Sequence, residues 1–439
     1  MRRGLILSCF LVLALSTRGW GEDWPGWLGA KRDSVWRETG ILDRFPAEGP
    51  EVLWRTPIAG GYAGPAVANG RVYVHDFDGK GDVSATPGGR SDRNGKERVL
   101  CLDAKSGKEL WKHEHDVNYK ISYAYGPRCT PTVAGGKVYT LGAEGLLCCL
   151  DADKGTELWS KDLKAEYKTT TPIWGFAGHP LVDGQKLICL VGGEGSVAVA
   201  FDKDTGNELW KALSAKDQGY CAPSIIEAGG TRQLLIWHPL ALNSLDPETG
   251  KLHWSVDLKP DYEMSIQIPR QLGDYLFAGG IGMQCVCLKL DREKPTAEEV
   301  WRGDISSGVF PVNSTPFLED GTIYGCCTKG ELRGVTLATG ERLWETFEPT
   351  TNKRPQQSNS GTAFLVKNGE RFFLFSETGD LIIAKLSPAG YEEISRAHLL
   401  EPTQDCFGRP VIWSHPAFAD KCAFLRNDKE IICVNLAAD

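Results

Sequence analysis

Aromatic, basic and amide side chains recur just upstream of proline-marked positions in this 439-residue chain. They are Tyr123, Tyr125 and Arg128 before Pro131, then Trp174, Phe176 and His179 before Pro180. Tyr220, Arg270, Asn313, Arg409, Trp413 and His415 follow at comparable places. Aromatic faces stack on flat molecules, Arg and His supply donors or charge, and Asn orients a ligand through its amide. Tyr125, Arg128, Trp174, His179, Arg270, Asn313, Arg409 and His415 are therefore the candidate set for binding a planar or anionic ligand. The same groups would equally serve to plug and hydrogen-bond a central channel. No catalytic residue is assigned. The chain has no Gly-x-Ser-x-Gly elbow, no phosphate loop ending in Gly-Lys-Ser/Thr and no His-Glu-x-x-His.

Three weaker constellations read as structure. His113-Glu114-His115-Asp116 places two imidazoles on one face of a strand, but its composition is that of a polar surface strand and loop. Asp76-Phe77-Asp78-Gly79-Lys80-Gly81-Asp82 opens like a calcium loop. Lys80 then stands at a ligand position and Pro87 where the bidentate Glu belongs, so a solvated loop is expected. Cys148-Cys149 and Cys326-Cys327 lie in apolar strand runs, where neighbours point to opposite faces, so unlinked thiols are expected. Cys285 and Cys287 share a strand face, and no cysteine pair has zinc spacing. No metal site is assigned.

The elements that must position these groups come from a repeat. Leu102-Asp103-Ala104-Lys105-Ser106-Gly107-Lys108-Glu109-Leu110-Trp111 returns at Leu150–Trp159, Phe201–Trp210 and Leu245–Trp254, with Asp eight and Gly four residues before Trp. Degenerate copies end at Trp301 and Trp344, and a last one puts Ile394 in the Trp slot. Each copy reads as strand, Asp-Gly turn, strand. Upstream of each copy a second strand pair opens, often behind a Pro, as in Thr130-Pro131-Thr132-Val133 with Gly135-Gly136-Lys137-Val138-Tyr139. Four short antiparallel strands per period of roughly 40–50 residues mean propeller blades. The Trp54 to Ile394 series predicts an all-β, eight-bladed propeller of four-stranded blades. The chain ends one outer strand short, and Glu51–Arg55 is an outer strand with no blade before it. The N-terminal strand is therefore expected to complete the C-terminal blade, removing an open edge.

Domain boundaries follow: 1–21 a signal peptide, 22–50 an N-terminal extension, 51–439 a single propeller. Met1-Arg2-Arg3 followed by the apolar run Leu5–Leu15 has the form of a secretory signal and is too short to span a bilayer. Cys9 sits too early in that run for a lipoprotein cleavage box. An exported, periplasmic or extracellular monomer with no transmembrane segment after cleavage is expected. The net charge of −8, without a basic cluster, excludes nucleic acid as a partner.

The Leu-Asp-x-x-Thr/Ser-Gly-x-x-Leu-Trp units resemble the pyrroloquinoline-quinone (PQQ) repeat family along nearly the whole chain. The opening Asp23-Trp24-Pro25-Gly26-Trp27-Leu28-Gly29 resembles the leader of exported bacterial propellers of this type. The resemblance implies two kinds of relative: quinoprotein alcohol dehydrogenases, which hold PQQ and calcium, and the BamB-like scaffold of outer-membrane assembly, which holds no quinone. About fifty residues per blade leaves no space for the dehydrogenases' long insertions, and the chain has no haem-attachment Cys-x-x-Cys-His. The expectation is a non-enzymatic binding or scaffold protein of the cell envelope, without cofactor. Its partner is an envelope protein or a small ligand on one propeller face. A PQQ- and calcium-dependent oxidoreductase of the alcohol or sugar type is the alternative.

Overall fold

The computed structural model describes residues 21–79, 89–122, 126–351 and 359–438. The described chain is nearly all β, and its strands form eight four-stranded antiparallel sheets arranged as propeller blades. In chain order the first seven blades begin at Ala66, Thr132, Leu181, Ser224, Arg270, Phe317 and Ala363. The eighth sheet takes three strands from Ala417–Ala419, Cys422–Arg426 and Glu430–Asn435 and its outermost strand from Val52–Pro57. Pro65, Pro131, Pro180, Pro223, Pro269, Pro316 and Pro416 each stand immediately before an innermost strand. Proline presets φ and lacks an N–H, and an edge strand bordering the channel loses no ladder bond by it.

The repeat joins each blade to the next. Asp246 Oδ1 accepts the amides of Glu248 (2.8 Å) and Thr249 (2.9 Å), which closes its turn. Asp103, Asp151 and Asp202 do the same in their own turns. The indole of one blade then lies on the turn glycine of the following blade. Trp111 donates to Ala152 O (3.1 Å), Trp159 to Lys203 O (3.2 Å) and Trp210 to Pro247 O (3.2 Å). A Cβ on Gly250 would sit 2.6 Å from the Trp210 ring. Its φ of +72° also belongs to the left-handed region. Trp254 faces the blade whose turn carries the insertion after Asp291, and it bonds Gln233 Oε1 in its own blade instead (2.8 Å).

These two demands on Gly250 are separable. Gly250→Ala should lose about 1–2 kcal/mol for the backbone and more for displacing the indole. Gly136→Ala, at φ +75° with no atom near the added Cβ, should lose only the backbone part. Denaturant unfolding of both variants reads the difference, and equal losses would mean that the indole contact contributes nothing.

The thirteen cysteines among the described residues are free and buried. Cys148 packs toward the first blade and Cys149 toward the third, and Cys326 and Cys327 likewise enter separate clusters. The expected solvated loop at Asp76 is corrected. Asp76 lies in the strand Arg71–Gly79, fully buried, and takes two bonds from Arg98 at 2.7 and 2.8 Å. The strand pairs along its whole length with 95–103, which extends it past the point where Gly79 suggested a turn. The rest of that motif, from Lys80, lies outside the described residues. No described helix is long and apolar enough to cross a membrane.

Residues 22–45 run across one face of the ring. Trp24 exchanges both backbone bonds with Val67 (2.8 Å each), and Val133 N donates to Pro25 O (2.7 Å). Farther on, Trp36 and Ser34 pair with Lys367, and Leu42 N reaches Leu436 O (2.9 Å). The segment thus caps the exposed edges of several innermost strands. It carries Trp27, 4 % exposed, to the propeller axis.

Candidate functional site

An axial funnel of about 900 Å³, counted out to its open mouth, lies above Trp27. Its floor is an aromatic layer. Trp27 stacks on His179 with centroids 4.5 Å apart and an 11° tilt, and His415 meets it edge-on at 5.6 Å. Both imidazoles stand next to the proline that opens an innermost strand, which is why the repeat delivers them to the axis. Burial drives His179 well below the ordinary imidazole pKa, helped by His415 and Arg32, and drives His415 down to about 3. His179 Nδ1 accepts the Thr130 amide (2.9 Å), a bond that needs a lone pair on that nitrogen. The Trp27 Nε1–H is buried without a hydrogen-bond partner among the described residues.

The wall is aromatic and donor-rich. Tyr62 and Trp413 stack at 5.9 Å, and Trp174 meets Tyr220 edge-on at 5.7 Å. The Arg128 guanidinium lies 5.1 Å from the Tyr62 ring centre and donates to Gly126 O and Ser122 O. Burial pulls its pKa below the usual guanidinium value. Asn313 donates to Thr362 Oγ1 (3.1 Å), and Gln267 receives Thr315 Oγ1 (2.6 Å) and donates to Val312 O. Met264, Ile266 and Phe407 complete an apolar rim. No Asp or Glu is among the described residues lining the funnel. One nearby carboxylate, Glu377, sits behind the wall. It accepts Arg409 twice (3.0 and 3.1 Å), Trp413 Nε1 (3.0 Å) and the Thr362 amide (3.0 Å). Its oxygens are committed to holding Trp413 and Arg409.

Of the sequence candidates, Arg128, Trp174, His179, Asn313 and His415 line one cavity. Arg409 braces it from outside through Glu377 and the Trp413 face. Tyr125 lies outside the described residues. Arg270 is corrected. It points away from the funnel and donates to Arg32 O (3.1 Å) and Asp33 O (2.8 Å) of the N-terminal segment. In this blade the first residue of the innermost strand faces that segment, whereas the blade residues that line the funnel stand upstream of their innermost strands. Phe176 is likewise a core residue. Sequence reasoning missed Trp27, Tyr62, Gln267 and Phe407. Trp27 was visible as a second Trp in Trp24-Pro25-Gly26-Trp27, but nothing local showed where that segment docks.

A wider depression of about 1,670 Å³ adjoins the funnel and shares Trp174, Met264, Ser360 and Phe407 with it. Tyr262, Met283 and Ile305 stand exposed around it, at 72, 53 and 80 %.

A quinohemoprotein alcohol dehydrogenase from Comamonas testosteroni has a similar structure, at TM-score 0.60 and 14 % identity, covering 95 % of this chain and 81 % of that one. A europium-containing methanol dehydrogenase matches at TM-score 0.60 and 14 % identity, covering 94 and 89 %. BamB from Moraxella catarrhalis matches at TM-score 0.42 and 15 % identity, covering 88 and 99 %. At such identities the likeness to the two dehydrogenases is one of fold. No curated protein matches the chain. The family model described as outer membrane protein assembly factor BamB matches residues 95–260 and 240–439, well over half the chain. With its repeated Asp-Gly turns and Trp contacts, this chain therefore belongs to that family of PQQ-like β-propellers.

Proposed function

We propose that this protein is a non-enzymatic binding propeller of the cell envelope whose funnel takes a planar, anionic small molecule. The observation that carries this reading is the funnel's chemistry. It is closed below by the stacked Trp27 and His179, walled by aromatic rings and donors including buried Arg128, and lined by no described carboxylate. A flat anion gains stacking area and charge-assisted hydrogen bonds there. The residues present do not suit a calcium–quinone dehydrogenase. A calcium ion needs several hard oxygen ligands, usually carboxylates among them, and substrate oxidation needs a free base. Glu377, the carboxylate that holds Trp413 in the wall, is fully engaged. The exposed apolar residues of the adjoining depression support docking of a protein segment on the same face. The charged, apolar N-terminus of the sequence supports export.

PQQ itself, a flat polycarboxylate, is a suitable probe. Tryptophan fluorescence quenching should report binding that is indifferent to calcium. Arg128→Met should weaken it by about 10–100-fold, the loss of one hydrogen bond to a charged group. The loaded protein should reduce no dye with alcohols or aldoses. Calcium-dependent binding with substrate-driven dye reduction would replace this reading with the oxidoreductase one. An unquenched spectrum at millimolar probe would remove the funnel as an anion site.

A further inference from the structure

The seam between the first and second blades holds a second cluster of chemistry-bearing groups, remote in character from the funnel. His113 comes from the outer strand Glu109–Ile121 of the first blade. Cys148 comes from the third strand, Leu146–Asp151, of the second, and Glu157 begins that blade's outer strand, Glu157–Asp162. Their donor atoms all lie within 4.8 Å of one another, and His113 Nε2 stands 3.8 Å from Glu157 Oε2.

We infer that His113 Nε2, Cys148 Sγ and the Glu157 carboxylate form a binding site for a zinc-class divalent cation that clasps the two blades. Three features of the geometry point there. One nitrogen, one sulfur and one oxygen donor is a set that suits zinc and disfavours calcium or magnesium, which want oxygen alone. Zinc–ligand lengths of 2.0–2.3 Å in a tetrahedron separate donors by roughly 3.3–3.8 Å. The cluster has to contract by only about 1 Å at its widest. His113, with 20 % side-chain exposure, and Glu157, with 41 %, stand partly exposed beside the buried Cys148, so the closing movement falls to the two outer side chains. The burial gradient runs from Cys148 on the inner wall to Glu157 at the surface, so a fourth position opens to water, as in sites with three protein ligands.

The surroundings are arranged to orient the ligands. Ser160 Oγ donates to Glu157 Oε1 (2.7 Å), which leaves Oε2 to face His113. Two residues along the same strand face, His115 Nε2 lies 3.8 Å from the buried Glu97, which also meets His75 Nε2 at 3.2 Å and accepts the Tyr119 hydroxyl. The negative charge of Glu97 close behind the cluster favours a cation in it. Sequence spacing alone pairs His113 with His115, whereas the fold pairs it with a thiol and a carboxylate from the neighbouring blade.

Cobalt(II) titration of the metal-stripped full chain tests the assignment. One equivalent should bind, with a thiolate-to-cobalt charge-transfer band in the near ultraviolet, and zinc should displace it. Cys148→Ala should abolish the band. His113→Ala and Glu157→Gln, both at partly exposed positions where folding is not at risk, should each weaken binding by ~100-fold, at least what loss of an outer-sphere partner costs a metal site. Cys149→Ala, on the opposite strand face, should keep band and stoichiometry. Absence of a stoichiometric equivalent, or a band that survives in Cys148→Ala, overturns the site. Wild-type affinity in both His113→Ala and Glu157→Gln overturns it even if Cys148→Ala does not fold.

Discussion

Lowering the pH from 6.5 to 3 should strip the protein of stability on the order of 4 kcal/mol through His415 alone. His415 is largely enclosed by Phe364 (centroids 4.1 Å apart), Trp27 and His179, and this desolvation lowers its pKa from 6.5 to about 3. In the native state it is therefore neutral until the pH nears 3, while the unfolded chain takes up a proton below pH 6.5. Stability is complete above 6.5, falls by about 1.4 kcal/mol per pH unit below it, and stops falling through this group once the pH passes about 3. His179 acts in the same direction, and protonating its Nδ1 would also break the bond from Thr130. Burial depresses His115 and His238 too, so the wild-type slope is a sum. His415→Gln isolates one member. Urea unfolding at pH 7 and pH 5 should show the variant losing about 2 kcal/mol less than wild type between the two. Parallel slopes would mean that the imidazole is solvated and the floor is not closed. Carboxylates are separated by their window. Burial alone would raise Glu97, but hydrogen bonds from His75 and Tyr119 and the charges of His75 and His115 hold it below the usual range. Its contribution is present above the ordinary value of 4.5 and is lost only beneath it.

Trp54→Ala should cost about 3–5 kcal/mol, as for other buried tryptophans, and should loosen the last blade selectively. Trp54 sits in the strand that the beginning of the chain contributes to the final sheet, pairing Arg55 with Ile432 and Thr56 with Ile431. Its indole donates to Ala104 O (2.9 Å), and Thr56 Oγ1 donates to Gly107 O (2.7 Å), so the same strand fastens the eighth blade to the first. Arg426 reinforces the joint from the core side. It is fully buried and donates to Ala59 O (2.6 Å), His75 O (2.9 Å) and Ala63 O (3.3 Å). Hydrogen exchange should accelerate at the amides of 417–435 far more than at those of the fourth blade. Trp210→Ala, with the same indole contact inside the ring, should give a comparable global loss without that bias. Uniform acceleration in both variants would show that the closing strand is no weaker than any other seam.

Much of the architecture was legible because the repeat carries its own physics. The Asp turn bonds and the glycine under each indole are local or nearest-neighbour requirements, so the Asp, Gly and Trp positions report them directly. Trp254 shows the limit. Its partner turn has an insertion, and only the folded neighbour reveals that the indole goes to Gln233 instead. Proline-marked positions placed His179 and His415 at the axis for the same local reason. Arg270 failed because a residue one step past the proline turns to the other face, where an incoming segment offered carbonyls.

By itself, the sequence determined the blade count, the turn chemistry, the ladder of Trp contacts and a list of groups near the axis. All of these depend on residues within one repeat or the next. Only the tertiary structure decided that residues 22–45 cap one face and drive Trp27 under the funnel, through backbone bonds to strands hundreds of residues away. Only the tertiary structure withdrew Glu377 behind Trp413 and brought His113 to Cys148 and Glu157. Those contacts join residues of different blades. A repeat specifies how neighbouring blades meet, but its periodic positions carry no signal for which non-repeating side chains face one another across an axis or a seam.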